Sequence, residues 1–438
     1  MNESSAVVVS IGDELVLGQT VDTNSAWISQ QLAAIGVSVA AHVTVADDQA
    51  AIEQAIRDAA PRCRWLIVSG GLGPTEDDLT RQALAAVMGV PLEMSQQWLE
   101  ALKGFFAQRG RPMPDRNRIQ AMIPRGADMI YNHNGTAAGI HAQLVTSNLQ
   151  AATDVFVVPG VPKEMKLMLQ RDVLPLIASA GGAGVFLSRM LHTFGLGESW
   201  VAEKLGALMR RGRNPSVGTT VSGGIVSLRL NARYSSADEA RRQLDATEAL
   251  CREALGVLVF GEDDDTLPVA VARLLKDPPV AQRWSPAVCT AESCTGGLVA
   301  KYLTDVPGSS AYFRQGWVTY DNGAKVNELG VSQATLDKYG AVSEQTVTEM
   351  ARGAATRSGA PFALAVSGIA GPDGGTLDKP VGTVCIALSY PSPADPAELG
   401  VLARTFNFPG DREMIRDRSA KMALAMLRFH LLDKAIPF

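Results

Sequence analysis

Histidine is scarce in this chain, with five in 438 residues: His42, His133, His141, His192 and His430. Only His430 falls in the last third, so a Ser-His-Asp arrangement is excluded there. Cysteine is equally sparse. Cys63, Cys251, Cys289, Cys294 and Cys385 are odd in number and form no CxxC pair, which excludes a disulfide framework and a structural zinc site. Basic residues do not exceed acidic ones: 40 Lys and Arg stand against 45 Asp and Glu, a formal charge of −5. That balance argues against a general nucleic-acid-binding surface. No uncharged apolar run reaches the ~18 residues of a membrane span. The opening MNESSAVVVSIGDEL has no basic stretch and soon meets an acidic pair, so it does not read as a signal peptide. The expectation is a soluble, reduced, cytoplasmic protein that does not associate with a membrane.

What remains is a globular composition, 46% hydrophobic and 19% charged, on a chain too long for one core. The first part alternates strand-like and helix-like stretches. AVVVSIG, VSVAAHVTV, RWLIVSGG and VFVVPG read as strands, with NSAWISQQLAAIG, DQAAIEQAIRDAA and DLTRQALAAVMG as helices between them. Asn24 or Ser25 is the expected N-cap of the first helix. This alternation predicts an α/β domain with a parallel sheet covered on both faces. A smaller α+β module follows, with FLSRMLHTFGL and GIVSLRLNARY as strands, and GEDDDT reads as a linker. The last part is α/β again, from LPVAVARLLKD to the long closing helix DREMIRDRSAKMALAMLRFHLLD. The expected boundaries are 1–172, 173–260 and 261–438.

SGGLGPTEDDLT, Ser69 to Thr80, follows an apolar strand and opens a helix. Gly70, Gly71 and Gly73 permit a tight turn and close backbone approach, and a helix N-terminus favours an anion. One reading is a turn with Asp77 and Asp78 capping the helix. The other is a phosphate cradle beside carboxylates, as a metal-assisted phosphoester or pyrophosphate site needs.

In the last domain, TAESCTGGLVAKYL places Ser293, Cys294 and Thr295 where a strand gives way to a helix, followed by Gly296 and Gly297. Hydroxyls there cap the helix, and its N–H groups are suited to an anion. Ser309 and Ser310 follow a Pro-Gly turn, and Tyr320 and Lys325 flank the next helix start. Without histidine, the available base is a lysine neutralised by burial or by a neighbouring cation, acting on a serine. Cys294 is the rival nucleophile, lacking a partner to form its thiolate. SGIAGPDGG, which includes Ser367, Gly368 and Gly371, can wrap a phosphate or ribose through backbone N–H groups. Arg412 opens the closing helix, suited to a ligand phosphate.

IGDELVLGQTVDTN, GGLGPTEDDLT and NGTAAGI resemble the N-terminal domain of the CinA family, which is similar to MoaB and MogA proteins. The resemblance implies a MoaB/MogA-like three-layer α/β fold and a divalent-metal-dependent ADP-ribose pyrophosphatase. It implicates Glu14, Asn24, Asp47, Gly71, Gly73, Asp78, Asn134, Gly135 and Thr136, with Asp47 and Asp78 as metal ligands. The chain departs from the family pattern at Asp13, Ala46 and Ala138. RNPSVGTTVSGGIVSLRLNAR resembles the KH-like connector of the same family, without a GXXG loop for nucleic acid.

AESCTGG, GSSAYFRQGWVTYDNGAK, GAVSE, SGIAGPDGG, KPVGTV and GDRE resemble the family's C-terminal domain and the PncC nicotinamide-nucleotide amidohydrolases. The resemblance implies hydrolysis of nicotinamide mononucleotide to nicotinate mononucleotide and ammonia, without a cofactor. Ser310 and Lys325 would form the catalytic dyad. Tyr320 and Ser293 would assist proton transfer or orientation, Ser367 and Arg412 would hold the nucleotide, and Thr295, Gly296, Gly368 and Gly371 would line its site. A homodimer is implied as well. The alternatives are a non-catalytic nucleotide- or partner-binding adaptor, and a molybdopterin-related role for the first domain.

Overall fold

The structure, a computed structural model, describes residues 5–145, 152–180, 184–277, 286–392 and 398–437. The chain forms two compact units, Met1–Leu187 with Ala232–Leu244, and Ser188–Asn231 with Asp245–Phe438.

The first unit opens with β1 (Ser5–Ile11), β2 (Ser38–Val45) and β3 (Trp65–Ser69), separated by helices Thr23–Ala34 and Gln49–Ala59. β1 and β3 are buried along their whole length because helices cover both faces, which is why they read as unbroken apolar runs. Val7, Val9 and Leu66 pack on Ile52, Ile56 and Leu84 on one side. Ala6, Val8 and Ile67 pack on Ile28 and Leu32 on the other. β4 (Leu92–Met94) and β5 (Met122–Pro124) make a separate ribbon flanking helix Gln96–Ala107. β6 (Asp128–Ile130), β7 (Gly139–Leu144) and β8 (Thr153–Val158) complete a six-stranded sheet in the order β2-β1-β3-β8-β7-β6.

The sheet is parallel only through β2, β1, β3 and β8; β7 and β6 run antiparallel. The expectation of a parallel sheet holds for the part that carries the glycine loop. Beyond it, the connections are too short for a crossover helix, so neighbouring strands reverse direction. The first helix is capped by Asp22, not Asn24 or Ser25: the Asp22 carboxylate accepts from the Ser25 N–H at 2.9 Å. Two positions upstream of Asn24, Asp supplies the same kind of acceptor.

The middle of the chain forms a four-stranded sheet, β10-β11-β9-β12, from β9 (Val185–Phe194), β10 (Ser216–Ser222), β11 (Ile225–Tyr234) and β12 (Val259–Glu262). β10, which the sequence pattern did not reveal, pairs antiparallel with β11 across Gly223-Gly224. Both glycines have positive φ, 54° and 79°, as a two-residue hairpin turn demands. GEDDDT is not purely a linker, since Gly261 and Glu262 pair with β9.

The last sheet contains β13 (Val288–Glu292), β14 (Phe313–Val318), β15 (Phe362–Gly368), β16 (Thr383–Pro391) and β17 (Leu399–Asn407), ordered β14-β13-β15-β16-β17. β14, β13 and β15 are parallel, whereas β16 and β17 are antiparallel. Helix Glu344–Ser358 covers one face through Val347, Met350 and Ala354. Helices Leu267–Lys276 and Arg412–Leu431 cover the other. Among the described residues, no helix is long and apolar enough to cross a membrane.

Candidate active sites

In the first unit, the C-terminal ends of β1, β3 and β8 open onto a cavity of about 430 Å³. Its walls include Glu14, Asp47, Gly71, Gly73, Asp77, Asp78 and Thr136, so most of the expected residues converge. The glycine loop is held from within. Asp78 accepts from the N–H of Gly73 at 2.6 Å and of Thr75 at 2.9 Å, and from the Thr75 hydroxyl. A Cβ on Gly73 would stand 2.2 Å from the Asp78 carboxylate, which would have to shift from its present bonds. Neither Asp77 nor Asp78 caps the next helix, whose N-cap is Leu79 without a side-chain bond.

Behind the loop lies a residue that the sequence reading missed. Arg81 is 1% exposed and donates to the carbonyls of Leu72 and Gly73, which turns its charge toward the loop. Burial brings its guanidinium down to about 10. Helix spacing alone gave no hint that Arg81, and not its polar neighbours, points inward.

Asp47 and Asp13 clamp each other, each carboxylate accepting from the other's N–H at 2.9 and 3.1 Å. Burial raises the Asp47 carboxyl above the ordinary range, and the charges of Asp13, Asp77 and Glu14 add to the rise. Asn24 reaches the site's edge, donating to the Gly160 carbonyl at 2.8 Å. Its side-chain oxygen is buried without a protein partner. Asn134 and Gly135 donate their N–H groups to the Asn132 side chain, which in turn holds Glu164 at the cavity wall. The oxygen donors suit a hard divalent cation. Among the described residues, however, no three or more His, Cys, Asp or Glu side chains converge as a ready-made metal cage.

In the second unit, a buried lysine sits at the C-terminal ends of the parallel strands. Lys325 is 1% exposed, on helix Asn322–Leu329, whose N-cap Asp321 accepts from Ala324. Its Nζ donates to the Ser293 hydroxyl at 3.2 Å and to the carbonyls of Thr319 at 2.9 Å and Tyr320 at 3.2 Å. Burial pushes the ammonium below the usual lysine range, opposed only in part by Asp321. Ser293 is itself buried, and its N–H bonds to the Val366 carbonyl of β15. The hydroxyls of Thr295 and Thr319 are buried nearby in the chain with no protein partner.

Glu292 has a role that the sequence left open. It is 0% exposed and accepts from the N–H groups of Val299 at 3.0 Å and Ala300 at 2.8 Å. These are the donors expected to be free for an anion at the start of helix Leu298–Thr304. Those two N–H groups are therefore not open to an anion; ahead of them, Gly296 and Gly297 turn the chain with φ of 60° and 92°. Arg416 ties down the same turn through the carbonyls of Cys294 and Thr295. The Cys294 thiol is pushed up to about 12 by burial and is no nucleophile.

Arg412 donates to the Gly371 carbonyl at 2.7 Å and to the Tyr320 hydroxyl at 2.8 Å, joining three expected residues. Ser367 is 1% exposed and donates to the Ala341 carbonyl at 2.7 Å, so it ties the end of β15 to the loop ahead of helix Glu344–Ser358. Gly368 lies where β15 meets β16, pairing with Val384. Ser310 stands apart. It is exposed on the turn before β14, three residues ahead of Phe313, which pairs with Val288 at the start of β13. Ser293 follows Glu292, which pairs with Val318 at the other end. At about 3.3 Å per residue, roughly 16 Å of strand separates the two levels. The family resemblance grouped these serines, and proximity in the chain does not say at which end of a strand a turn lies.

Three family descriptions match the chain in succession: a probable molybdopterin binding domain over residues 7–179, the damage-inducible protein CinA KH domain over 188–261, and the CinA C-terminal domain over 280–431. A competence-damage inducible protein of Symbiobacterium thermophilum is 44% identical over 98% of this chain and 99% of its own. A CinA-like protein of Geobacter sulfurreducens is 42% identical over 97% and 98% respectively. A solved CinA superfamily protein from Klebsiella pneumoniae is 36% identical over 38% of this chain and 96% of its own, with a TM-score of 0.34. With relatives of this identity matched along nearly its whole length, the chain belongs to the CinA family.

Proposed function

We propose that the second unit hydrolyses the amide of nicotinamide mononucleotide to nicotinate mononucleotide and ammonia. The observation that carries this reading is Lys325, a buried amine held below its usual protonation range and touching a serine hydroxyl. In its neutral form Lys325 takes the Ser293 proton as Oγ attacks the amide carbon. The tetrahedral oxyanion is received by N–H donors of the 293–297 turn. The Lys325 ammonium gives its proton to the amide nitrogen as the C–N bond breaks, so that the NH2 group leaves as ammonia and Lys325 is again neutral. Water attacks the resulting ester, Lys325 accepts its proton, and that proton returns to Ser293 as the carboxylate leaves. Arg412, steadied by Gly371 and Tyr320, binds the nucleotide phosphate.

Ser310 is the attacking group in a second reading. It is exposed, and β14 is the edge strand of its sheet with most of its residues exposed. That reading requires the turn to meet the Lys325 cluster of a second copy of the chain. The test is ammonia release from nicotinamide mononucleotide. Ser293→Ala inactive with Ser310→Ala active supports attack by Ser293; the reverse supports Ser310. Full release by both variants refutes serine catalysis.

The first unit supports cleavage of a nucleotide pyrophosphate such as ADP-ribose. The glycine loop, braced from behind by Arg81, would receive the phosphates, and Asp47 on the cavity wall would ligate a divalent cation. Such an ion supplies Lewis-acid polarisation of a phosphoryl oxygen. Turnover of ADP-ribose with added Mg²⁺ or Mn²⁺, lost in Asp47→Asn, is the expected result.

A further inference from the structure

Within the second unit, the turn of the β10–β11 hairpin rests on the closing helix Arg412–Leu431. The Gly223 carbonyl accepts from Lys421 Nζ at 3.0 Å, and Lys421 pairs at 2.7 Å with Asp417, one helical turn earlier. The other carboxylate oxygen of Asp417 accepts from the Tyr302 hydroxyl. Tyr302 belongs to helix Leu298–Thr304, which opens directly after Gly297. An unbroken series of polar contacts therefore runs from the middle sheet to the helix that follows Ser293.

The series is closely fitted. The Lys421 and Asp417 side chains are only 17% and 22% exposed. Gly223 has a φ of 54°, and a Cβ there would stand 2.5 Å from Lys421 Nζ and 3.1 Å from the Asp417 carboxylate. One glycine thus serves both the hairpin turn and the contact. Burial, together with the Asp417 charge, raises the Tyr302 phenol above its ordinary range, which keeps it protonated as the donor. Apolar packing already joins the two parts, since Phe194 and Ile225 of the middle sheet belong to the same cluster as Ile415 and Met422. Adhesion does not require an ion pair, and a largely shielded one adds little net stability after desolvation. What the pair does provide is a fixed direction for the groups it touches.

The same helix also grips the serine turn. Arg416, next to Asp417, holds the carbonyls of Cys294 and Thr295 at 3.1 and 2.8 Å. A peptide unit is planar, so fixing the Cys294 carbonyl also fixes the Thr295 N–H on its opposite side. Arg416 acts on the turn itself, and Asp417 acts through Tyr302 on the helix behind it. We propose that Asp417 and Lys421 are positioning residues of the deamidase site, with the Gly223 carbonyl of the middle sheet setting their geometry. This rests on the reading of the second unit as an amidohydrolase with its oxyanion donors in the 293–297 turn.

Steady-state ammonia release from nicotinamide mononucleotide by the full chain, resolved into kcat and KM, is the test. Lys421→Met should lower kcat about fivefold, the equivalent of one hydrogen bond, and leave KM unchanged. Gly223→Ala, whose added methyl displaces Lys421, should lower kcat similarly by itself and change nothing further in Lys421→Met. A purely structural part would lower Tm and leave kcat of the folded protein unaltered. With an active wild type, an unchanged kcat in Lys421→Met, or losses that add in the double variant, overturn the proposal. An inactive wild type sinks the deamidase reading, and amide hydrogen exchange over residues 293–304 then decides on the tie alone. Faster exchange there in Lys421→Met, with β15 unaffected, sustains the tie; unchanged exchange overturns it.

Discussion

Lys325→Met removes the amine and keeps most of the side-chain volume, so its effects on chemistry and on folding can be read separately. For the chemistry, loss of a general base costs about 10²–10⁴ in rate. Ammonia release from nicotinamide mononucleotide should fall by that factor, with substrate binding little changed. For folding, opposing effects must be compared. The carbonyls of Thr319 and Tyr320 lose their donor, at about 1–3 kcal/mol for each orphaned buried acceptor. Against this, a buried cation without a close carboxylate partner carries a desolvation penalty of several kcal/mol, which the variant escapes. These effects nearly cancel, and Tm should remain within a few degrees of the wild type.

The pH dependence gives a sharper test. The folded protein holds Lys325 below its ordinary value, so the unfolded chain binds the extra proton more readily. Stability contributed by this residue therefore rises with pH between the lowered value and about 10.4, and the penalty is greatest below that window. Wild-type activity should also rise with pH through the lowered value, because the neutral amine is the working form. Tm of Lys325→Met should exceed the wild type most at low pH, with the gap closing as pH rises. Lys325→Arg keeps the cation and should be inactive at every pH. Release above a tenth of wild type by Lys325→Met, or a gap in Tm that widens with pH, would refute the assignment.

Glu292→Ala strands the N–H groups of Val299 and Ala300, so chemical denaturation should show a loss of about 2–6 kcal/mol. Glu292→Gln, which keeps one acceptor, should lose clearly less, and equal losses would deny Glu292 its part as a helix anchor. Mg²⁺ should raise the Tm of the wild type but not of Asp47→Asn, and without metal the variant should be at least as stable as the wild type at neutral pH, where the raised Asp47 carboxyl is ionised against its neighbours. Mixing inactive Ser310→Ala and Lys325→Met chains should restore up to about a quarter of the activity if Ser310 acts across chains, because one hybrid site is then intact. No recovery after verified subunit exchange would exclude that arrangement.

Element types were legible where burial is two-sided. The unbroken runs of β1, β3 and β15 appear in the sequence because both faces are covered. β10 was not legible: SVGTTVS is polar and mostly exposed, and it is a strand only because Gly223-Gly224 folds it onto β11. At the sites, Gly73 stood out in a glycine-rich turn and Lys325 as the available base, whereas Asp47 came only with the family resemblance. Arg81 and Glu292 were not legible, since a charged residue ordinarily faces water and nothing local shows that backbone carbonyls or amides await it inside. Ser310 shows the complementary limit: its motif is adjacent to Tyr320 and Lys325 in the chain, while the strand between them carries it to the opposite end of the sheet.

The two sites use the same position in a parallel sheet for opposite electrostatic ends. Around Asp47, burial and the charges of Asp13, Asp77 and Glu14 raise the cost of ionising its carboxyl in a partly exposed cavity, and a cation from solution would relieve that cost. Around Lys325, Glu292 is the nearest acid in the chain to Ser293, yet its carboxylate is spent on two backbone N–H groups. Had it paired with Lys325 instead, the ammonium would have been stabilised and the amine lost as a base at neutral pH. The helix anchor thus protects the chemistry as well as the fold: with Glu292 held on the helix, burial of Lys325 is opposed only in part, by Asp321. Glu292→Gln should then affect activity far less than stability, since the glutamine neither restores nor removes a charge that Lys325 feels directly.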